Sequence, residues 1–198
     1  MVCPDAAARP ASPRTLVLGV GNLLLGDEGF GIHAVKRLEG EGLPASVTLL
    51  DGGTGGVDLL ERMVGFDFVI LIDAVRVGTA IRTDDAQDLG ERGSEATWGL
   101  VSGGEGRRNP APGEVVVFRL DRVELTNPDP SFSLHGCSLG GLIRLARALG
   151  LELPEIIVVG LVPHSVGWST TLSQPAQAGL DEAVTRVRGL LAGRVALD

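Results

Sequence analysis

The sequence predicts a doubly wound α/β fold on one mostly parallel sheet, with a single strand running antiparallel. Three observations carry that prediction. Runs such as LVLGV and FVILI are apolar on successive residues rather than alternating, which suits parallel strands covered on both faces. Segments of helical period separate the runs. The first run passes straight into a glycine turn that opens a helix, GVGNLLLGDEGFG.

Taken in order, Thr15–Val20 reads as the first strand and Gly29–Glu39 as the first helix, with Ile32, Val35 and Leu38 on one face. Val47–Leu50 is the second strand and leads into Asp51, followed by GGTGG; Val57–Met63 is a short helix. Phe68–Ala74 is the third strand, its apolar run ending at Asp73. The rhythm then breaks. Arg76–Pro112 is rich in Gly and charge, has no sustained period and holds Trp98 as its large apolar anchor. A loop of that length inside a compact domain is functional or disordered. Glu114–Leu120 is a fourth strand, and without a crossover helix before it an antiparallel course is expected.

That reversal leaves the chain at the edge away from the acids. Asp121–Leu134, with Pro128 and Pro130, is long enough to climb back, so a helix over Ser138–Leu149 starts at the acid-bearing edge. Glu155–Leu161 is the fifth strand and Gln174–Leu191 the closing helix, with Pro175 in its first turn. Residues 1–14 read as a disordered tail and 15–198 as a single domain with a loop insertion at 76–112.

Composition sets the boundaries of function. A chain of 198 residues, 44% hydrophobic and 21% charged, buries a substantial core as an ordinary globular domain. Its net charge of −8 opposes nucleic acid or an anionic membrane as partner, since both require a basic patch. No apolar run reaches the ~20 residues of a membrane span. The N-terminal MVCPDAAARPASPR lacks the apolar stretch of a secretory signal, and Cys3 and Cys137 form neither a disulfide framework nor a C-x-x-C pair. A reducing cytoplasm is the expected location.

The acids are the chemical signal. Open α/β sheets bind ligands at the carboxyl ends of their strands. Asp27 and Glu28 follow the first strand, Asp51 the second, and Asp73 closes the third. An acidic set there suits a cation and repels a phosphate. Gly19 and Gly21 supply only two glycines of G-x-G-x-x-G; Leu24 stands in the third place, where a dinucleotide motif needs close helix–strand approach. Of the three histidines, His33 lies beside the apolar face of its helix and reads as solvated, and His164 as a loop residue able to line a groove. His135, in SFSLHGCSLG, opens a helix at the acid edge. Glu28, Asp73 and His135 together offer two oxygens and one imidazole nitrogen, an incomplete shell suited to a divalent transition metal. No H-E-x-x-H is present, which excludes the common zinc-protease arrangement.

GVGNLLLGDEGFG, LDGGTGG, the run ending IDA, PGEVVVF and SLHGCSLG together resemble the hydrogenase maturation protease family, in order from Thr15 to the closing helix. The resemblance implies a five-stranded twisted sheet with helices on both faces. It implies an endopeptidase that trims the C-terminal extension from the large-subunit precursor of a nickel–iron hydrogenase. It further implies that Glu28, Asp73 and His135 match the family's metal-contacting positions. It implies, too, that the metal is nickel, presented by the precursor rather than held permanently. Asp51 matches an acid with a suggested catalytic role, which would make the enzyme an aspartyl protease. The long segment Arg76–Pro112 departs from the family pattern. Two other functions compete: a nickel-sensing hydrogenase chaperone that does not cut, and a flavodoxin-like nucleotide-binding module.

Overall fold

The computed structural model describes residues 13–75, 110–120 and 145–195. Strands β1 (Thr15–Val20), β2 (Val47–Gly53), β3 (Phe68–Ala74), β4 (Val115–Arg119) and β5 (Glu155–Leu161) form one five-stranded sheet in the order β2-β1-β3-β5-β4. The pairs β1–β2, β1–β3 and β3–β5 are parallel, and β4 runs antiparallel to β5. Helix α1 (Phe30–Leu38) follows a 3-10 turn at Asp27–Gly29; α2 (Asp58–Met63) and α3 (Gln174–Val195) complete the named helices. Residues 145–148 are also helical, at the end of the segment expected as a helix from Ser138; residues 121–144 lie outside the described residues.

Two cores sandwich the sheet, as the continuous apolar strands require. On one face Phe30, Ala34, Val35 and Leu38 of α1 and Val184, Val187 and Leu191 of α3 pack on Val17, Ile70, Ile72, Val159 and Leu161. On the other, Leu59, Leu60 and Met63 of α2 cover Leu16, Leu18, Val69, Leu71 and Val158. Each fully buried side chain of this size contributes about 1.5–3 kcal/mol, so β1 and β3, apolar to both faces, anchor the domain. Because α1 and α2 lie on opposite faces, the chain winds away in opposite senses on either side of β1. That places a switch-point crevice at the carboxyl ends of β1 and β3.

Some boundaries differ from the sequence expectation. The second strand does not stop at Leu50 but runs to Gly53, because Asp51 pairs with Gly19 and Gly53 with Val20 across a register shift. Arg14, counted with the tail, is tied down: its backbone N–H donates to Asp67 Oδ2 at 2.9 Å and its guanidinium lies 4.9 Å from the Phe66 ring centre. The tail residues 1–12 and most of the 76–112 insertion lie outside the described residues. Among the described residues no helix is long and apolar enough to cross a membrane.

Candidate functional site

The turn after β1 is built by glycine. At Gly21, φ is +141°, and a Cβ there would lie 1.8 Å from the Glu28 carbonyl oxygen. That closeness folds the turn back on itself, with Asn22 N–H donating to Glu28 O at 3.1 Å. Gly31 lets the start of α1 press on two strands at once; its missing Cβ would sit 2.1 Å from Ile72 O and 2.4 Å from Val20 O. The sequence expectation that Leu24 prevents close helix–strand approach is therefore corrected. Gly31 against Gly19 supplies that approach, outside the G-x-G-x-x-G spacing.

The two acids of the turn part ways. Asp27 is fully buried. Its Oδ2 accepts the N–H groups of His164 and Ser165, each at 2.9 Å, and the Ser173 hydroxyl at 2.8 Å, while Oδ1 accepts Ser173 N–H at 2.7 Å. Burial alone raises its pKa, but these donors outweigh that and hold the carboxyl below the usual range. Asp27 is thus a latch between the turn and the loop that follows β5. Glu28 is half-buried, with Oε2 shielded from solvent, and lies close enough to Asp73 for the two charges to interact.

Asp73 is buried at the end of β3, its Oδ1 accepting Ala74 N–H at 2.7 Å. Burial pushes its carboxyl well above the ordinary range; the Ala74 hydrogen bond opposes the rise and the charge of Glu28 adds to it. A carboxyl buried as Asp73 is favours its neutral form or a neighbouring cation, because burial disfavours its charge. The hard oxygens of Glu28 and Asp73 suit a divalent ion that brings further ligands with it.

Asp51 stands apart. It is exposed, and its Oδ1 accepts Gly53 N–H at 2.9 Å in a local turn. Strand alternation settles its side: Leu49 joins the α1 core, and a Cβ on Gly52 would meet Leu18 and Val20 of the α2 core. Asp51 therefore projects on the α1 side of the sheet, whereas Asp73, two residues after Leu71, projects on the α2 side. All three acids lie at the carboxyl edge, and Glu28 and Asp73 interact there. Among the described residues no group of three or more His, Cys, Asp or Glu could hold a metal ion. His135, expected as the third ligand, lies outside the described residues. So does GCSLG at 136–140, which fits the G-x-S-x-G spacing of a hydrolase serine.

Of the other histidines, His33 differs from expectation. His33 is not simply solvated: its Nε2 is buried without a hydrogen-bond partner, and burial, aided by Lys36, lowers its pKa. The His164 residue is exposed and engages the site through its backbone N–H to Asp27.

A hydrogenase maturation protease family model matches residues 32–83. The hydrogenase expression/formation protein HupM of Azotobacter chroococcum is 31% identical over 93% of this chain and 74% of its own length. The hydrogenase 2 maturation protease of Escherichia coli K12 is 30% identical, covering 90% of each chain. The solved structure of the hydrogenase maturating endopeptidase HybD from E. coli superposes with a TM-score of 0.64 at 29% identity, covering 91% of this chain and 93% of that one.

Proposed function

The chain belongs to the hydrogenase maturation protease family, a family of peptidases, and from that premise we propose its substrate and division of labour. The substrate is the large-subunit precursor of a nickel–iron hydrogenase, and the cut removes its C-terminal extension after nickel has been inserted. Glu28, Asp73 and His135 recognise nickel that arrives in the precursor. The observation that carries this reading is the Glu28–Asp73 pair, two interacting acids at the switch-point crevice, one of them buried. An oxygen-rich, incomplete shell reads a divalent ion without the thiolate grip that strips it from its donor.

Asp51 belongs to the cut rather than to the ion. It projects from the other side of the sheet edge and is open to a substrate peptide, so it can position or deprotonate the attacking water. On this reading recognition and chemistry fall to different residues, and substitutions can test that division. Glu28→Ala and His135→Ala should lose engagement with nickel-loaded precursor. Asp51→Asn should bind that precursor and fail to cut it, with a rate loss of roughly 10²–10⁴-fold. Ser138→Ala, which removes the serine of GCSLG, should cut at the unmodified rate. Co-purification with loaded and nickel-free precursor, beside mass spectrometry of the product, reads every arm. Equal cutting of nickel-free precursor rejects nickel recognition, and normal cutting by Asp51→Asn rejects the role given to Asp51.

A further inference from the structure

The loop between β5 and α3 is fastened to the turn that carries Glu28. Gly26 N–H donates to Ser169 O at 2.8 Å, Ser169 N–H to Leu24 O at 3.0 Å, and Asp27 N–H to Ser165 O at 3.3 Å. The Asp27 carboxylate gathers both ends of the same loop, at His164–Ser165 and at Ser173. Ser173 also caps α3, its hydroxyl oxygen accepting Ala176 N–H at 3.3 Å. So much anchoring normally accompanies burial, yet this loop holds its largest side chain in water. Trp168 is 87% exposed, with Val166 on the same loop and Leu24 on the adjoining turn also exposed. From Pro163 to Ser173 the loop carries no Asp, Glu, Lys or Arg, on a chain whose net charge is −8.

Resting on the polypeptide substrate proposed above, we propose that Leu24, Val166 and Trp168 form a preformed docking arm for an apolar segment of the precursor, held in place by Asp27. The contact is continuous with the site. One short stretch of chain, Leu24–Glu28, bonds the arm through its first residues and ends on the acid that interacts with Asp73. A polypeptide seated over Glu28 and Asp73 lies alongside the arm. An apolar patch on a loop without charged residues favours an apolar segment, since a basic one finds no partner charge on that loop. Fixing the loop before binding removes the ordering cost that a free loop imposes, and Trp is the side chain most enriched where interfaces concentrate their energy.

The test uses the full chain with Trp98→Phe, which leaves Trp168 as its one indole. Titration with nickel-loaded precursor should shift Trp168 emission to the blue and shield it from acrylamide. In steady-state cleavage Trp168→Ala should raise KM roughly tenfold or more, leave kcat within about twofold, and leave the unfolding midpoint unchanged; Trp168→Phe should recover part of the loss. Asp27→Asn should lower the fluorescence anisotropy of Trp168 in the free protein. An unchanged KM in Trp168→Ala, or an unchanged emission at saturating precursor, overturns the docking arm. Failure of the proposed cut reads differently: Trp168 emission shifts on binding, but no product forms with the unmodified enzyme.

Discussion

Asp27 precedes Glu28 in the chain and Asp73 lies close to it in space; both are buried, and their surroundings move them in opposite directions. The folded-state pKa of Asp27 is lowered, so its contribution to stability is present above its ordinary value of 3.8 and fades as pH falls through the lowered one. Asp27→Asn turns an amide N–H₂ toward donors whichever way it is placed. It should therefore destabilise the protein at pH 7 by about 1–3 kcal/mol, with the deficit shrinking below the ordinary carboxylate pKa. Asp73 has the reverse sign. Its folded pKa is raised, so the folded state holds a proton that the unfolded chain has released, and stability declines as pH climbs from 3.8 through the raised value. Asp73→Asn should melt higher than the parent at pH 7, lose that advantage in acid, and fail to process precursor. Thermal scans of both variants from acid to neutral pH check the two slopes; slopes of one sign reject the assignment. The two roles were unequally legible in the sequence. Asp73 announces itself as an acid ending an apolar strand. Asp27 does not, because a DE pair carries no mark of which carboxylate turns inward, and its donors lie 137 to 146 residues away. A serine directly before the closing helix was the one visible hint.

At the scale of elements, α1 is placed by what Gly31 lacks. A methyl group there would meet two backbone carbonyls, on β1 and β3, neither of which can swing aside. Gly31→Ala must lift the start of α1 from the sheet and carry Glu28 with it. The expected cost is about 1–3 kcal/mol, or roughly 2–4 °C of melting temperature per kcal/mol in a domain of this size, together with reduced processing. Gly40→Ala, just beyond the same helix with nothing near its Cβ position, should be neutral in both assays. A Gly31→Ala protein that melts and cuts like the parent removes the close-packing account. The sequence showed β3 and β5 to the residue because each is built on an apolar run, FVILI and IIVV. The antiparallel course of β4 was legible from the lack of helical period in the sequence before it. The length of β2 was not, since Asp-Gly-Gly has no strand preference and is held extended by its pairing with Gly19 and Val20 of β1. The packing of α1 was sought at the third glycine of a nucleotide motif, whereas the glycine that performs it lies further along the chain, inside the helix.

At the scale of the whole molecule, the sheet holds together the two ends of the segment that leaves it beside Asp73. Val75 N–H donates to Leu161 O at 2.7 Å, Gly113 N–H to Val162 O at 2.7 Å, and Val162 N–H to Glu114 O at 2.9 Å. The chain thus departs after β3 and returns before β4 at consecutive residues of one place, the end of β5. Asp73 is in register there with Gly160. Ends that the scaffold already holds together need little closure entropy to join. Replacing residues 76–109 by a linker of about six residues, an ordinary connection length, should leave both cores and the Glu28–Asp73 pair in place. The melting temperature should stay within a few degrees of the parent. Processing of the cognate precursor should change through KM, because the described ends of that segment meet at the end of β5 beside Asp73, while the rate of bound substrate should persist. Melting and steady-state cleavage measured on the same shortened protein decide the matter. Collapse of the fold makes the segment part of the core, and an unchanged KM leaves it no part in choosing the precursor.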